Sequence, residues 1–144
     1  MFKTILYPTD FSDVASSALQ FVKQLKEAGA KDVIVLHVID IRGIDALSRY
    51  ASRDLIEIEN LMEEEIEKKL DQLEQELTEC GLTVKVRIER GVPFREILRV
   101  EEEEDVSLIV LGSHGVSNIE EMFLGSVSEK VIRKAKSPVL VVKR

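Results

Sequence analysis

Short apolar runs alternate with longer stretches of helical periodicity along the whole chain, and this alternation constrains the fold more than any other feature. Strands that read as nearly continuous hydrophobic runs are buried on both faces, which implies a mostly parallel sheet covered by helices. The spacing predicts five strands: Lys3 to Tyr7, Asp32 to Val38, Thr83 to Arg90, Ser107 to Leu111 and Val139 to Lys143. A helix from Ser12 to Glu27 sets Val14, Ala18, Phe21, Val22 and Leu25 at helical spacing, with Gly29 as its stop. From Asp54 to Cys80, Leu55, Ile58, Met62, Ile66, Leu70, Leu73 and Leu77 recur at intervals of three and four, so one long helix is expected on the sheet. Its outer face offers the pairs Glu64 with Lys68 and Glu65 with Lys69, each worth only about 0.2–0.5 kcal/mol. A short helix from Pro93 to Glu104 ends in the run Glu101 to Asp105, read as a solvated helix end, and the last helix begins near Ser126. The segment Asp40 to Arg53 lacks periodicity and is the candidate for a lid.

Length and charge bound the function. At 144 residues and 44% hydrophobic content, the chain is expected to form one domain over 1–144, with no linker, repeat or low-complexity tract inside it. Twenty basic against twenty-seven acidic residues give a net charge of −7, which argues against nucleic acid or an anionic membrane as a partner. The opening Met1-Phe2-Lys3-Thr4 runs into a strand rather than a signal peptide, and the expected location is cytoplasmic. Cys80 is single and precedes Gly81 at a helix end, where an inert packed thiol is expected.

The chemistry concentrates after the fourth strand. Leu108 to Leu111 leads into Gly112-Ser113-His114-Gly115; nine residues later comes Gly125-Ser126-Val127, which opens the last helix. Glycines let backbone approach an anion, and the N–H groups and dipole of a helix N-terminus favour negative charge. Neither the dinucleotide fingerprint nor the P-loop pattern is present, so those two sites are excluded. By residue type alone the glycine loop fits either a phosphate site or a structural turn. Ser126 fits either a phosphate donor or a helix N-cap forming a capping box with Glu129. Asp10, just past strand one, fits either a polar contact to a ligand or an N-cap of the helix near Ser12. His114 lacks an identifiable carboxylate partner and is not assigned a catalytic role, and His37 in its apolar strand reads as a core or dimer residue. No metal-ligand spacing, nucleophile elbow or Ser-His-Asp set is apparent.

The glycine pattern, together with Ile5-Leu6-Tyr7-Pro8-Thr9-Asp10, Val35-Leu36-His37-Val38, Gly91-Val92-Pro93 and Ser137-Pro138-Val139-Leu140-Val141-Val142, resembles the universal stress protein family in its ATP-binding branch, over the whole chain. The resemblance implies an open five-stranded parallel sheet of order 3-2-1-4-5 with helices on both faces, a Rossmann-like α/β fold. In that order strands one and four are neighbours, and the crevice at their carboxyl ends takes the ligand. It further implies adenine held by backbone at Val38 and a pocket shaped by Pro8 and Thr9. Asp10 would lie against the ribose or a divalent cation (Mg²⁺ or Mn²⁺) carried by the phosphates. A triphosphate would lie between Gly112, His114 and Gly115 on one side and Gly125, Ser126 and Val127 on the other. Charge-assisted hydrogen bonds of roughly 1.5–3 kcal/mol each then support affinity near the micromolar range, about 8 kcal/mol, after the costs of binding. No catalytic residue and no protein-built metal site are expected.

The leading expectation is an ATP-binding regulatory protein of the stress response, with ATP, ADP or AMP bound, hydrolysis slow or partner-dependent at most, and an unidentified downstream protein partner. The alternatives are a metal-dependent ATPase or nucleotidyl-transfer enzyme, and a homodimeric interaction module with an empty loop. The last strand, Val139 to Lys143, is hydrophobic on both faces and would form an exposed sheet edge. Pairing with a second copy through that strand, as the family does, is expected under any of the three.

Overall fold

In the computed structural model, which describes residues 1–42, 54–114 and 124–143, the chain runs β1 (Thr4–Pro8), α1 (Asp13–Gln24), a 3-10 turn (Leu25–Ala28), β2 (Asp32–Asp40), α2 (Asp54–Glu79), β3 (Thr83–Gly91), α3 (Pro93–Glu103), β4 (Leu108–Gly112), α4 (Ser126–Lys134) and β5 (Val139–Val142). The strands form one parallel sheet in the order β3-β2-β1-β4-β5, as the resemblance implies. Gly115 and residues 43–53 of the candidate lid lie outside the described residues, as do the side chains of Leu55 and Ile58.

Two apolar layers follow from the period of two along each strand. Ile5, Tyr7, Val33, Val35 and Val110 face Ala18, Leu19 and Val22 of α1 and Leu70 and Leu77 of α2. Leu6, Ile34, Leu36, Ile109 and Leu111 face Ile97 and Val100 of α3 and Val131 of α4. Helices therefore cover both faces, which is why β1, β4 and β5 and the first half of β2 are nearly continuous apolar runs, whereas the edge strand β3 carries Lys85, Arg87, Glu89 and Arg90. Among the described residues, no helix is long and apolar enough to cross a membrane.

Several expectations need correction. The buried face of α1 is Val14, Ala15, Ala18, Leu19 and Val22, and Phe21 lies on its flank, 45% exposed. Met62 of α2 is 56% exposed and so lies outside the buried face of that helix. The first turn of α1 begins after Ser12, whose side chain accepts the Ala15 N–H at 3.2 Å, so Ser12 and not Asp10 is its N-cap. The helix tightens at Leu25–Ala28 and ends at Gly29, where φ of 103° is a left-handed conformation suited to glycine.

The acidic run is not a bare solvated end. Glu101 is buried, with Oε1 accepting the Lys136 N–H at 2.8 Å, while Glu103 and Glu104 bind Arg87 at 2.8 and 3.1 Å and Glu104 binds Lys85 at 2.6 Å. Those partners belong to the edge strand β3. Arg99 of α3 adds bonds to Glu89, Glu96 and Glu103. Hydrogen bonds from Arg87, Arg99 and Lys85 hold the Glu89, Glu103 and Glu104 carboxyls below the ordinary glutamate range.

Candidate functional site

A cavity of about 570 Å³ opens at the carboxyl ends of β1, β2 and β4, the place where ligands enter open α/β sheets. Pro8, Thr9 and Asp10 line it from the end of β1, Val38 from β2, Gly112 and His114 from the end of β4, and Gly125, Ser126 and Val127 from the start of α4. The nine described candidate residues thus meet in one space. Leu36, Leu111, Pro93 and Ile97 make its apolar wall.

Each wall has a local cause. β1 continues past its last residue because the Thr9 N–H donates to the Leu36 carbonyl at 2.8 Å. The Phe11 N–H then turns back to Thr9 Oγ1 (3.1 Å), and the Ser12 N–H to Asp10 Oδ1 (3.0 Å), so the chain folds over itself just before α1. On the other side, the Gly125 N–H donates to the Ser113 carbonyl at 2.7 Å, and Ser128 Oγ donates to the Gly112 carbonyl at 2.7 Å. These two bonds stitch the end of β4 to the beginning of α4. Gly112 is also glycine for packing: a Cβ there would stand 2.6 Å from Val14 Cγ1 of α1.

The capping box read at Ser126 does not form. Gly125 occupies the N-cap position in extended conformation, no side chain among the described residues caps the helix, and Ser126 is its first helical residue, exposed at the cavity. The N-terminus of α3 is likewise without a side-chain cap, with Pro93 in its first turn at the cavity wall. Among the described residues, two helix starts without a side-chain cap therefore border the space, whereas the α1 start is capped by Ser12. Ser113 Oγ and His114 Nδ1 lie 2.8 Å apart, and His114 Nε2 is enclosed without a hydrogen-bond partner among the described residues. An anion bearing a hydroxyl or phosphate oxygen would satisfy these donors.

Two charged cavity residues escaped the sequence reading. β2 runs two residues past Val38, because Ile39 and Asp40 pair with Arg90 and Gly91 of β3, and this carries Asp40 and Arg42 to the rim. Arg42 grips Asp40 with Nε at 2.9 Å and Nη2 at 2.7 Å, which holds the Asp40 carboxyl below its ordinary range. The Asp-x-Arg spacing was the available signal, hidden in a stretch without periodicity. His37 does not line the cavity: its Nδ1 bonds the Thr9 carbonyl at 2.9 Å from the opposite face of the sheet. No cluster of three His, Cys, Asp or Glu side chains suited to a metal occurs among the described residues.

The sequence model of the Universal stress protein family matches residues 1–143. Universal stress protein MJ0577 of Methanocaldococcus jannaschii is 43% identical over 156 residues, covering 100% of this chain and 96% of that protein. The solved structure of MJ0577 superimposes with a TM-score of 0.90 at 46% identity, covering 100% of this chain and 97% of that one. Two more distant solved structures share the fold: a universal stress protein in complex with cAMP (TM-score 0.69, 24% identity, 99% of this chain and 97% of that one), and one from Archaeoglobus fulgidus in complex with dAMP (TM-score 0.65, 22% identity, 99% and 98%). With a match from end to end and a sheet of the same order, the chain belongs to the universal stress protein family.

Proposed function

We propose that this single domain, residues 1–144, is an adenine-nucleotide-binding regulatory protein of the stress response, with ATP as its ligand and nucleotide-dependent partner choice as its output. The observation that carries the reading is the start of α4 at Gly125, Ser126 and Val127, uncapped by any described side chain, which faces Gly112 and His114 across one cavity. The order of the strands supplies the ligand's orientation. Val38 on β2 offers backbone to the base, Pro8, Thr9 and Asp10 on β1 stand in the middle, and the β4 and α4 residues, Gly115 included, take the phosphates. Base, ribose and phosphates then follow the sheet order β2, β1, β4. Asp10, at the middle strand, is assigned to the ribose hydroxyls.

Arg42 is the one arginine or lysine on the described wall and is already engaged by Asp40, so Mg²⁺ or Mn²⁺ arriving with the phosphates supplies the remaining counter-charge. That the distant relatives hold cAMP and dAMP is consistent with adenine as the base. Ser113, the hydroxyl beside His114 Nδ1, is 1% exposed and is not among the residues of the described wall, which favours a binder over an efficient hydrolase. A cytoplasmic homodimer joined through β5, with a further protein partner, completes the proposal.

The test is acid release of small molecules from freshly purified protein, identified by mass spectrometry, beside a Gly125→Glu variant. ATP, ADP or AMP in the wild type and none in the variant is the expected result. Wild-type protein that carries no nucleotide and gains no heat signal on titration with ATP and Mg²⁺ would sink the proposal and favour an interaction module.

A further inference from the structure

We propose that His37 is a positioning residue for Asp10, acting from behind the sheet and never touching the ligand; the inference rests on the nucleotide reading above. In β2, Leu36 and Val38 line the cavity while His37, between them, points to the opposite face, as the alternation along a strand requires. There it grips the residues on either side of Asp10. Its Nδ1 lies 2.9 Å from the Thr9 carbonyl, and because a carbonyl only accepts, Nδ1 carries the proton. Its ring stacks on Phe11 with centroids 4.8 Å apart and planes 29° off parallel.

Phe11 needs such support. Its φ of 64° is left-handed, a conformation that residues with a Cβ adopt only when their surroundings impose it. Three contacts impose it here: the His37 ring on one side, Lys69 of α2 at 5.2 Å from the ring, and the Phe11 N–H bond to Thr9 Oγ1. A turn forced through a left-handed phenylalanine sends the next N–H, that of Ser12, onto Asp10 Oδ1. The carboxylate is thereby fixed at the cavity by restraints on residues 9, 11 and 12. His37 supplies two of these restraints. The same strand thus presents backbone to the base through Val38 and orients the ribose contact through His37.

The proposal predicts a selective loss. In the wild-type protein, ATP binds about tenfold or more tightly than 2′,3′-dideoxy-ATP, because Asp10 accepts from the ribose hydroxyls. His37→Leu keeps an apolar group over Phe11 but removes the bond to Thr9. It is expected to bring that ratio to within about twofold of one while the Kd for the dideoxy nucleotide changes less than about threefold. His37→Asn places an amide donor where Nδ1 stood and should restore most of the ratio. Phe11→Gly takes up the left-handed turn without strain, so it should keep most of the ratio, and in its background His37→Leu should lower the ratio less than it does beside phenylalanine. Circular dichroism and thermal melts run alongside confirm that each variant is folded.

Equal loss of both nucleotides in folded His37→Leu, or a ratio left at its wild-type value, overturns the inference and leaves the nucleotide site standing. Equal wild-type affinities for the two nucleotides also overturn it, since there is then no ribose contact to position. A wild-type chain that binds neither removes the site itself, and this inference with it.

Discussion

Gly112 is a residue with two duties, and only one of them concerns a ligand. Its backbone lines the cavity, but its lack of a side chain is demanded by Val14, which leaves no room for a Cβ. Gly112→Ala should therefore cost about 1–3 kcal/mol through overpacking, lowering Tm by several degrees in calorimetry. Adding Val14→Ala removes the Cγ1 that the new methyl meets, so the double variant should lose about 1 kcal/mol less than the sum of the singles. Additive losses would show that the Val14 Cγ1 is not the obstacle. Tyr7 makes a second prediction. It is 1% exposed, its hydroxyl donates to the Ala15 carbonyl at 2.5 Å, and burial pushes its pKa from 10.0 up to about 12. Below pH 10 the phenol is neutral in both folded and unfolded chains and contributes no pH dependence. Above it, the unfolded chain gives up the proton first, so stability falls as pH rises from 10 towards 12, by on the order of 2–3 kcal/mol. Lysines titrate over the same range, so the measurement is the difference between wild type and Tyr7→Phe in urea unfolding at pH 9 to 12. Tyr7→Phe should lose about 1 kcal/mol at neutral pH and show a shallower alkaline decline.

At the scale of an element, α4 sets folding against binding. Gly125 caps it with extended backbone that any residue can adopt, so an aspartate there would accept helix N–H groups and stabilise the first turn by a few tenths of a kcal/mol. The same carboxylate would occupy the place proposed for phosphate and repel it. Gly125→Asp is thus expected to keep or slightly raise Tm while weakening ATP at least about tenfold in titration calorimetry. Unchanged affinity would remove α4 from the site. This helix also shows what the amino-acid pattern could and could not reveal. The existence of all five strands and four helices was legible, because core burial writes a period of two or 3.6 into the side chains. Gly29 was legible as a helix stop, but the N-caps were not: Ser126 and Asp10 each fit an N-cap or a ligand contact by residue type, and the helices begin one residue after Gly125 and after Ser12. A cap depends on where the first turn closes, an offset that periodicity leaves free by a residue or two. The partners of Glu103 and Glu104 were hidden for another reason, since Arg87 and Lys85 reach them only through the packing of α3 beside β3. Likewise Asp40 and Arg42 reach the cavity because β3 extends β2, and the work proposed for His37 depends on a turn twenty-six residues earlier in the chain.

The whole molecule has two sheet edges of opposite character, and the difference bears on assembly. Along β3 the side chains of Lys85, Arg87 and Glu89 form ion pairs with α3, a charged edge that discourages a further strand. The β5 edge is Val139-Leu140-Val141-Val142, without a charge. Its two sides can be told apart. The Pro138 carbonyl accepts from the Ile109 N–H at 3.0 Å and the Val142 carbonyl from the Ser113 N–H at 2.8 Å, so Pro138, Leu140 and Val142 direct their backbone groups towards β4. Val139 and Val141, alternating with them, direct theirs outward. A two-fold axis beside β5 would pair those outward groups with the same groups of a second copy and run two sheets into one. Light scattering at micromolar concentration should then give twice the 16.3 kDa of one chain. Val141→Pro removes an outward N–H while leaving the bonds to β4 intact, and edge positions tolerate proline. It should give the mass of one chain with an unchanged circular dichroism spectrum, whereas Leu140→Pro, on the inward side, should unfold the strand. A wild type that scatters as one chain would leave this uncharged edge open to solvent and would refute the dimer. A Val141→Pro protein that still scatters as two would place the contact on another surface.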